Sequence, residues 1–202
     1  MQNDRWFRAL ACGFLLMAGV GLAPHASAQS GTPEAGAEIV TAEDCVVEPR
    51  SADALRALFR EVAATPLPDD LAATPAPMPA GNPADEATVD AVSSLWHEVV
   101  ACLSANDQPR LFALYSDAMV RRQLQVDLAF GVTEDALIAY LEATPVPISD
   151  AEDLVVDPLT DVQLHSDGRV SALKSGDAGR NEALVFIQHD GRWLLDAWYE
   201  VG

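Results

Sequence analysis

From Ser51 onward the apolar positions of this chain recur at helical spacing. Leu55, Leu58, Phe59 and Val62 stand at i, i+3, i+4 and i+7, which places all four on one face of a short helix over residues 51–63 with Ser51 as its N-cap. A stripe that apolar needs a surface to cover. Val89, Val92, Trp96, Val99 and Leu103 step by 3, 4, 3 and 4 and mark one buried face of a long helix, while Asp90, Ser93, Ser94, His97 and Glu98 lie off that face. The helix ends at Asn106-Asp107. Pro109 stands where a second helix begins, with Leu111, Leu114, Tyr115 and Ala118 on its apolar face. A third follows Thr133, with Glu134 and Asp135 in the first turn and Leu137, Tyr140 and Leu141 inward, and it stops before Pro145.

After residue 150 the period changes from 3.6 to 2. Val155, Val162 and Leu164 lead into Ser166-Asp167-Gly168, a hairpin signal, and Val170 to Leu173 return. Ala183 to Gln188 form the next strand, His189-Asp190-Gly191 turns, and residues 193–200 close the chain. Three helices followed by about four antiparallel strands make an α+β domain over residues 85–202. Ahead of it, residues 64–84 hold six prolines, so this stretch continues no helix and joins no central strand. It reads as an extended, semi-rigid linker that lets the 51–63 helix reach a distant part of the domain. Residues 29–50 show no apolar periodicity and read as a flexible N-terminus.

The first residues have another character. Arg5 and Arg8 precede an apolar run from Ala9 to Ala23, then Pro24 and the triplet Ala26-Ser27-Ala28, the arrangement of a secretory signal peptide over residues 1–28 cut after Ala28. Fifteen apolar residues rise only about 22 Å as a helix and fall short of the roughly 30 Å core of a bilayer. Cleavage removes Asp4, Arg5 and Arg8 and leaves 10 basic against 30 acidic residues, a charge of −20 over 174 residues. Such a charge disfavours nucleic acid and anionic membranes as partners. Two cysteines, Cys45 and Cys102, survive cleavage, and an even number in an exported chain is read first as one disulfide, the alternative being two buried thiols.

The element order, Trp96 in a first long helix, the Asn106-Asp107 exit, the Leu-Phe-Ala-Leu-Tyr-Ser-Asp of residues 111–117 and the closing hairpin around Asp190-Gly191-Arg192-Trp193 together resemble the nuclear-transport-factor-2-like (SnoaL-like) superfamily over roughly residues 86–201. The resemblance implies a strongly curved antiparallel sheet wrapped by three helices into a cone, with a pocket between the concave face and the helices. Its members include isomerases, cyclases, hydrolases, dehydratases and many non-catalytic binding modules, so fold leaves function open. In the enzymes, chemistry rests on an Asp, Tyr or His projecting into the cone. Many members pair through the outer sheet face, where Trp198 and Leu194 would suit a homodimer that the net charge opposes.

The acidic catalytic candidate is Asp196, in the last strand. Alternation sets Trp193, Leu195, Ala197, Tyr199 and Val201 on one face, the covered one, and Leu194, Asp196, Trp198 and Glu200 on the other, so Asp196 is expected to point outward. No catalytic motif of a family enzyme is matched. Trp96, Tyr115, Phe130, Tyr140, Trp193 and Tyr199 could line an apolar pocket, or be plain core. Arg121-Arg122 could receive a carboxylate or simply end a helix in a surface ion pair. His97, His165 and His189 are too far apart for a zinc site, and the Ser149–Asp153 stretch lacks the ligand pattern of a calcium loop. No metal or cofactor is therefore expected. The sequence points to a secreted, non-catalytic domain that binds a small apolar ligand or a protein partner. The alternative is a small cofactor-free isomerase, cyclase or hydrolase acting through a pocket carboxylate.

Overall fold

The 51–63 stripe finds its surface. In a computed structural model, which describes residues 38–66, 80–148, 154–175 and 181–201, helix α1 (Ala52–Ala63) buries Leu55, Leu58, Phe59 and Val62. It packs on two later helices, α4 (Asp117–Ala129) and α5 (Glu134–Leu141). Between them in sequence come α2 (Glu86–Ser104) and α3 (Gln108–Ala113). Each of these five helices starts where a side-chain oxygen accepts a hydrogen bond from the main-chain N–H three residues on: Ser51, Asp85, Asp107, Ser116 and Thr133. That satisfies one otherwise unpartnered donor at every helix start.

The strands are β1 (Glu38–Val40), β2 (Gly81–Pro83), β3 (Leu154–Val156), β4 (Thr160–His165), β5 (Val170–Ser175), β6 (Asn181–His189) and β7 (Arg192–Val201). β1 pairs with β3, and the other five form an antiparallel sheet in the order β2-β4-β5-β6-β7. The fold is thus α+β, with the core between the helices and one face of the open sheet. Val170, Leu184, Phe186 and Leu195 project from that face among Trp96, Val99, Phe112 and Leu114. None of the described helices is long and apolar enough to cross a membrane. The signal-peptide segment and most of the Pro-rich stretch lie outside the described residues.

Four expectations are corrected. The domain carries four helices rather than three, because the helix expected from Pro109 onward breaks at residues 114–116. There the backbone pairs with β7: Leu195 N donates to Leu114 O and Ser116 N to Leu195 O, each at 2.9 Å. Residues 38–50, expected to be flexible, hold β1 and a 3-10 turn at Ala42–Asp44, with Val40, Cys45 and Val47 buried. The anchor is a disulfide between Cys45 and Cys102 of α2, a constraint that leaves no periodic trace. Residues 81–83, at the end of the expected linker, form an edge strand on β4, a position that Pro83 tolerates.

The fourth correction is the facing of β7. Val185 pairs with Ala197 but Phe186 with Leu195, so Asp196 is an extra residue, a β-bulge. Alternation reverses across it. Trp193 and Leu195 share the helix-facing side with Trp198, while Ala197, Tyr199 and Val201 lie on the opposite face. Trp198 meets Trp96 edge-on, ring centroids 5.3 Å apart, and so is not part of an outer pairing surface.

Candidate functional site

The six aromatic residues proposed as pocket lining are not brought together. Trp96 and Tyr115 are core: Tyr115 is buried beside Phe112, and burial pushes its hydroxyl far up. Phe130 is 76% exposed at the end of α4. The Tyr140 hydroxyl donates to Asn106 Oδ1 at 3.1 Å, at the junction of α2 and α3. Tyr199 lies on the far sheet face. Trp193 lines the cleft between β1, α2 and the β6–β7 turn.

That cleft, of about 610 Å³, is open to solvent and has three walls. Val40, Asp44 and Val46 form the first, on β1 and the turn that follows. Ala91, Ser94, Leu95, His97 and Glu98 of α2 form the second, and Gly191, Arg192 and Trp193 at the β6–β7 turn form the third. Ala91, Ser94, Leu95 and Glu98 recur at i, i+3, i+4 and i+7, a second stripe beside the core-facing one. Ser94, His97 and Glu98, which the sequence spacing sets off the buried face of α2, border this groove. The turn that presents Trp193 places Asp190 and Gly191 at φ 51° and 77°, the left-handed pair that a two-residue hairpin requires and that Asp-Gly supplies. The N-terminal wall is tied down at its middle, since Cys45 stands between Asp44 and Val46 and is bonded to Cys102, one turn beyond Glu98.

Within the wall, Asp44 accepts hydrogen bonds from the Thr41 main-chain N–H at 2.7 Å and hydroxyl at 2.9 Å. These bonds hold its carboxyl below the usual carboxylate range, so it stands as a fixed anion. With Glu98 opposite Arg192 in charge and Leu95 and Trp193 apolar, the cleft can seat a small body against an indole and meet one charged group.

Elsewhere, polar groups are engaged with one another. Asp196, the catalytic candidate, turns at the bulge toward α4 and accepts a 2.5 Å hydrogen bond from the Ser116 hydroxyl. It joins a cap to the sheet edge rather than pointing outward beside Glu200. Lys174, the chain's only lysine, ion-pairs with Glu182 and sits 5.0 Å from the Trp198 ring centroid and 5.6 Å from that of Trp96. The Trp198 indole N–H donates to Glu182 at 3.0 Å. Arg121 pairs with Glu61 of α1 at 3.0 Å, a surface ion pair, but Arg121 and Arg122 lie within α4 rather than at a helix end.

Asp127, away from the cleft, is a buried ionisable residue that sequence reasoning missed. It is 6% exposed, its Oδ1 accepts from Gln123 Nε2 at 3.3 Å, and burial raises its carboxyl to about 6. The signal was present, for Asp127 continues the buried α4 stripe of Val120 and Leu124 at steps of 4 and 3. Among the described residues, no group of three His, Cys, Asp or Glu is placed to hold a metal ion. In comparisons with known proteins, the chain matches no family model, no curated protein and no solved structure.

Proposed function

We propose that this chain is an exported, non-catalytic binding domain that holds a small, largely apolar molecule in the cleft between the N-terminal turn, α2 and the β6–β7 hairpin. One observation carries the reading: a cleft of about 610 Å³ with the Trp193 indole and Leu95 on its lining, the mixture of concavity, aromatic surface and a few polar groups that ligand sites use. Export draws on the leader-like residues 1–28 and on the disulfide, which persists in oxidising compartments. The nuclear-transport-factor-2-like cone is part of the same proposal. It is supported by α2–α5 preceding β3–β7, by the apolar helix-facing sheet side and by register shifts at Asp196 and near Asp161, the kind of irregularity that curves a sheet.

The test is a native mass spectrum of the protein taken from its own culture medium. The expected result is a chain beginning at Gln29 with a reproducible small-molecule adduct that the Trp193→Ala variant loses. A chain retaining residues 1–28, or an adduct unchanged in that variant, would overturn export or the site respectively. A bare chain whose melting temperature no apolar compound raises would overturn ligand binding.

A second reading, a small cofactor-free isomerase, cyclase or hydrolase, draws on Asp127, whose buried carboxyl keeps its proton to about pH 6 and could move it near neutrality. Neither Asp127 nor Asp196 lines the cleft, and that favours binding.

A further inference from the structure

We infer that the cleft is selective for an organic cation, a molecule with an aromatic or alkyl body and a single ammonium group. The inference rests on the reading of the cleft as a ligand site and adds the class of ligand. Two carboxylates, Asp44 and Glu98, line the cleft against one guanidinium, that of Arg192. Asp44 cannot easily give up its charge, because the Thr41 N–H and hydroxyl both donate to it. Trp193 contributes an indole, the aromatic face that attracts cations most strongly. Leu95 and Val40 are available to the apolar body. An anion would meet the two carboxylates, and a neutral molecule would gain only the apolar contact.

The same protein shows what this set of groups accepts. At the helix-facing side of the sheet, an ammonium, that of Lys174, lies 5.0 Å and 5.6 Å from two indole centroids and pairs with the Glu182 carboxylate. The cleft offers the same two kinds of partner, an indole and carboxylates, and the chain has no second lysine to fill it. The charge of −20 on residues 29–202 also raises the concentration of cations around the molecule.

Three probes with one apolar body and different charge test the assignment: phenethylammonium, 2-phenylethanol and 3-phenylpropionate. They are titrated into the oxidised secreted protein, residues 29–202, at low salt, and binding is followed through the side-chain N–H resonances of the tryptophans. The cation is expected to bind about fivefold or more tightly than the other two. That preference should shrink in Glu98→Gln, an off-core substitution, and in about 0.5 M salt, and Trp193→Ala should weaken all three. Equal affinities that still depend on Trp193 would keep the cleft as a ligand site and overturn its cation selectivity. Preference for 3-phenylpropionate would overturn it in favour of Arg192. If no probe perturbs the Trp193 resonance, both the selectivity and the ligand site fall.

Discussion

Asp127 carries a cost that depends on pH. An unfolded aspartate releases its proton near 3.9, whereas this one holds it to about 6. Between those values the folded state binds more protons than the unfolded state, so this group makes stability fall as pH rises through that window and level off above it. A shift of two units corresponds to about 3 kcal/mol at neutral pH. Asp127→Asn keeps the shape and a bond to Gln123, and is expected to unfold at higher urea than the parent at pH 7 while matching it near pH 4. Parallel profiles of the two proteins would show that the group is unshifted. Trp96 is the opposite kind of residue, an apolar ring filling the core against Trp198 and under the Lys174 ammonium. Trp96→Ala should cost about 3 to 5 kcal/mol in urea unfolding, and a loss below about 1 kcal/mol would move the ring to a rim.

The bulged strand β7 and the break between α3 and α4 are one element of structure. Ser116 caps α4 with its hydroxyl, donates that hydroxyl to Asp196, and pairs its main chain with Leu195. Ser116→Ala removes the cap and the Asp196 bond together and is expected to lower stability by about 1 to 2 kcal/mol, with Ser116→Thr recovering most of it; chemical denaturation of both variants checks this. What the sequence could and could not disclose divides at the same place. The α1 stripe, the caps at Ser51 and Thr133 and the Asp-Gly turn are local, so spacing alone finds them. The bulge is not local: Asp196 becomes an extra residue only through β7 pairing with β6 on one side and with residues 114–116 on the other. An alternation count through it therefore reverses Trp198 and Tyr199. The cleft was hidden for a similar reason, since its walls come from residues 40–46, 91–98 and 191–193, and only Trp193 among the proposed ligand residues reached it. Polar residues at Ser94, His97 and Glu98 look solvated until a distant segment is laid beside them.

At the scale of the whole molecule, one covalent bond holds a segment far from α2 in sequence against that helix. Linking residues 57 apart contributes about 4 kcal/mol in the chain-entropy account, so the Cys45→Ser and Cys102→Ser double variant should unfold at clearly lower urea. Alkylation without reduction should leave both cysteines unmodified; free thiols would refute the bond. Reductant should also weaken probe binding at concentrations where α1 and the sheet still show native circular dichroism, because Asp44 and Val46 of the cleft lining flank the bonded cysteine. The placement of that bond would also time the site. Under the proposed export, the bond closes only after the chain leaves a reducing interior, so the wall bearing Asp44 and Val46 gains its covalent tether outside, where β1–β3 pairing alone had held it before.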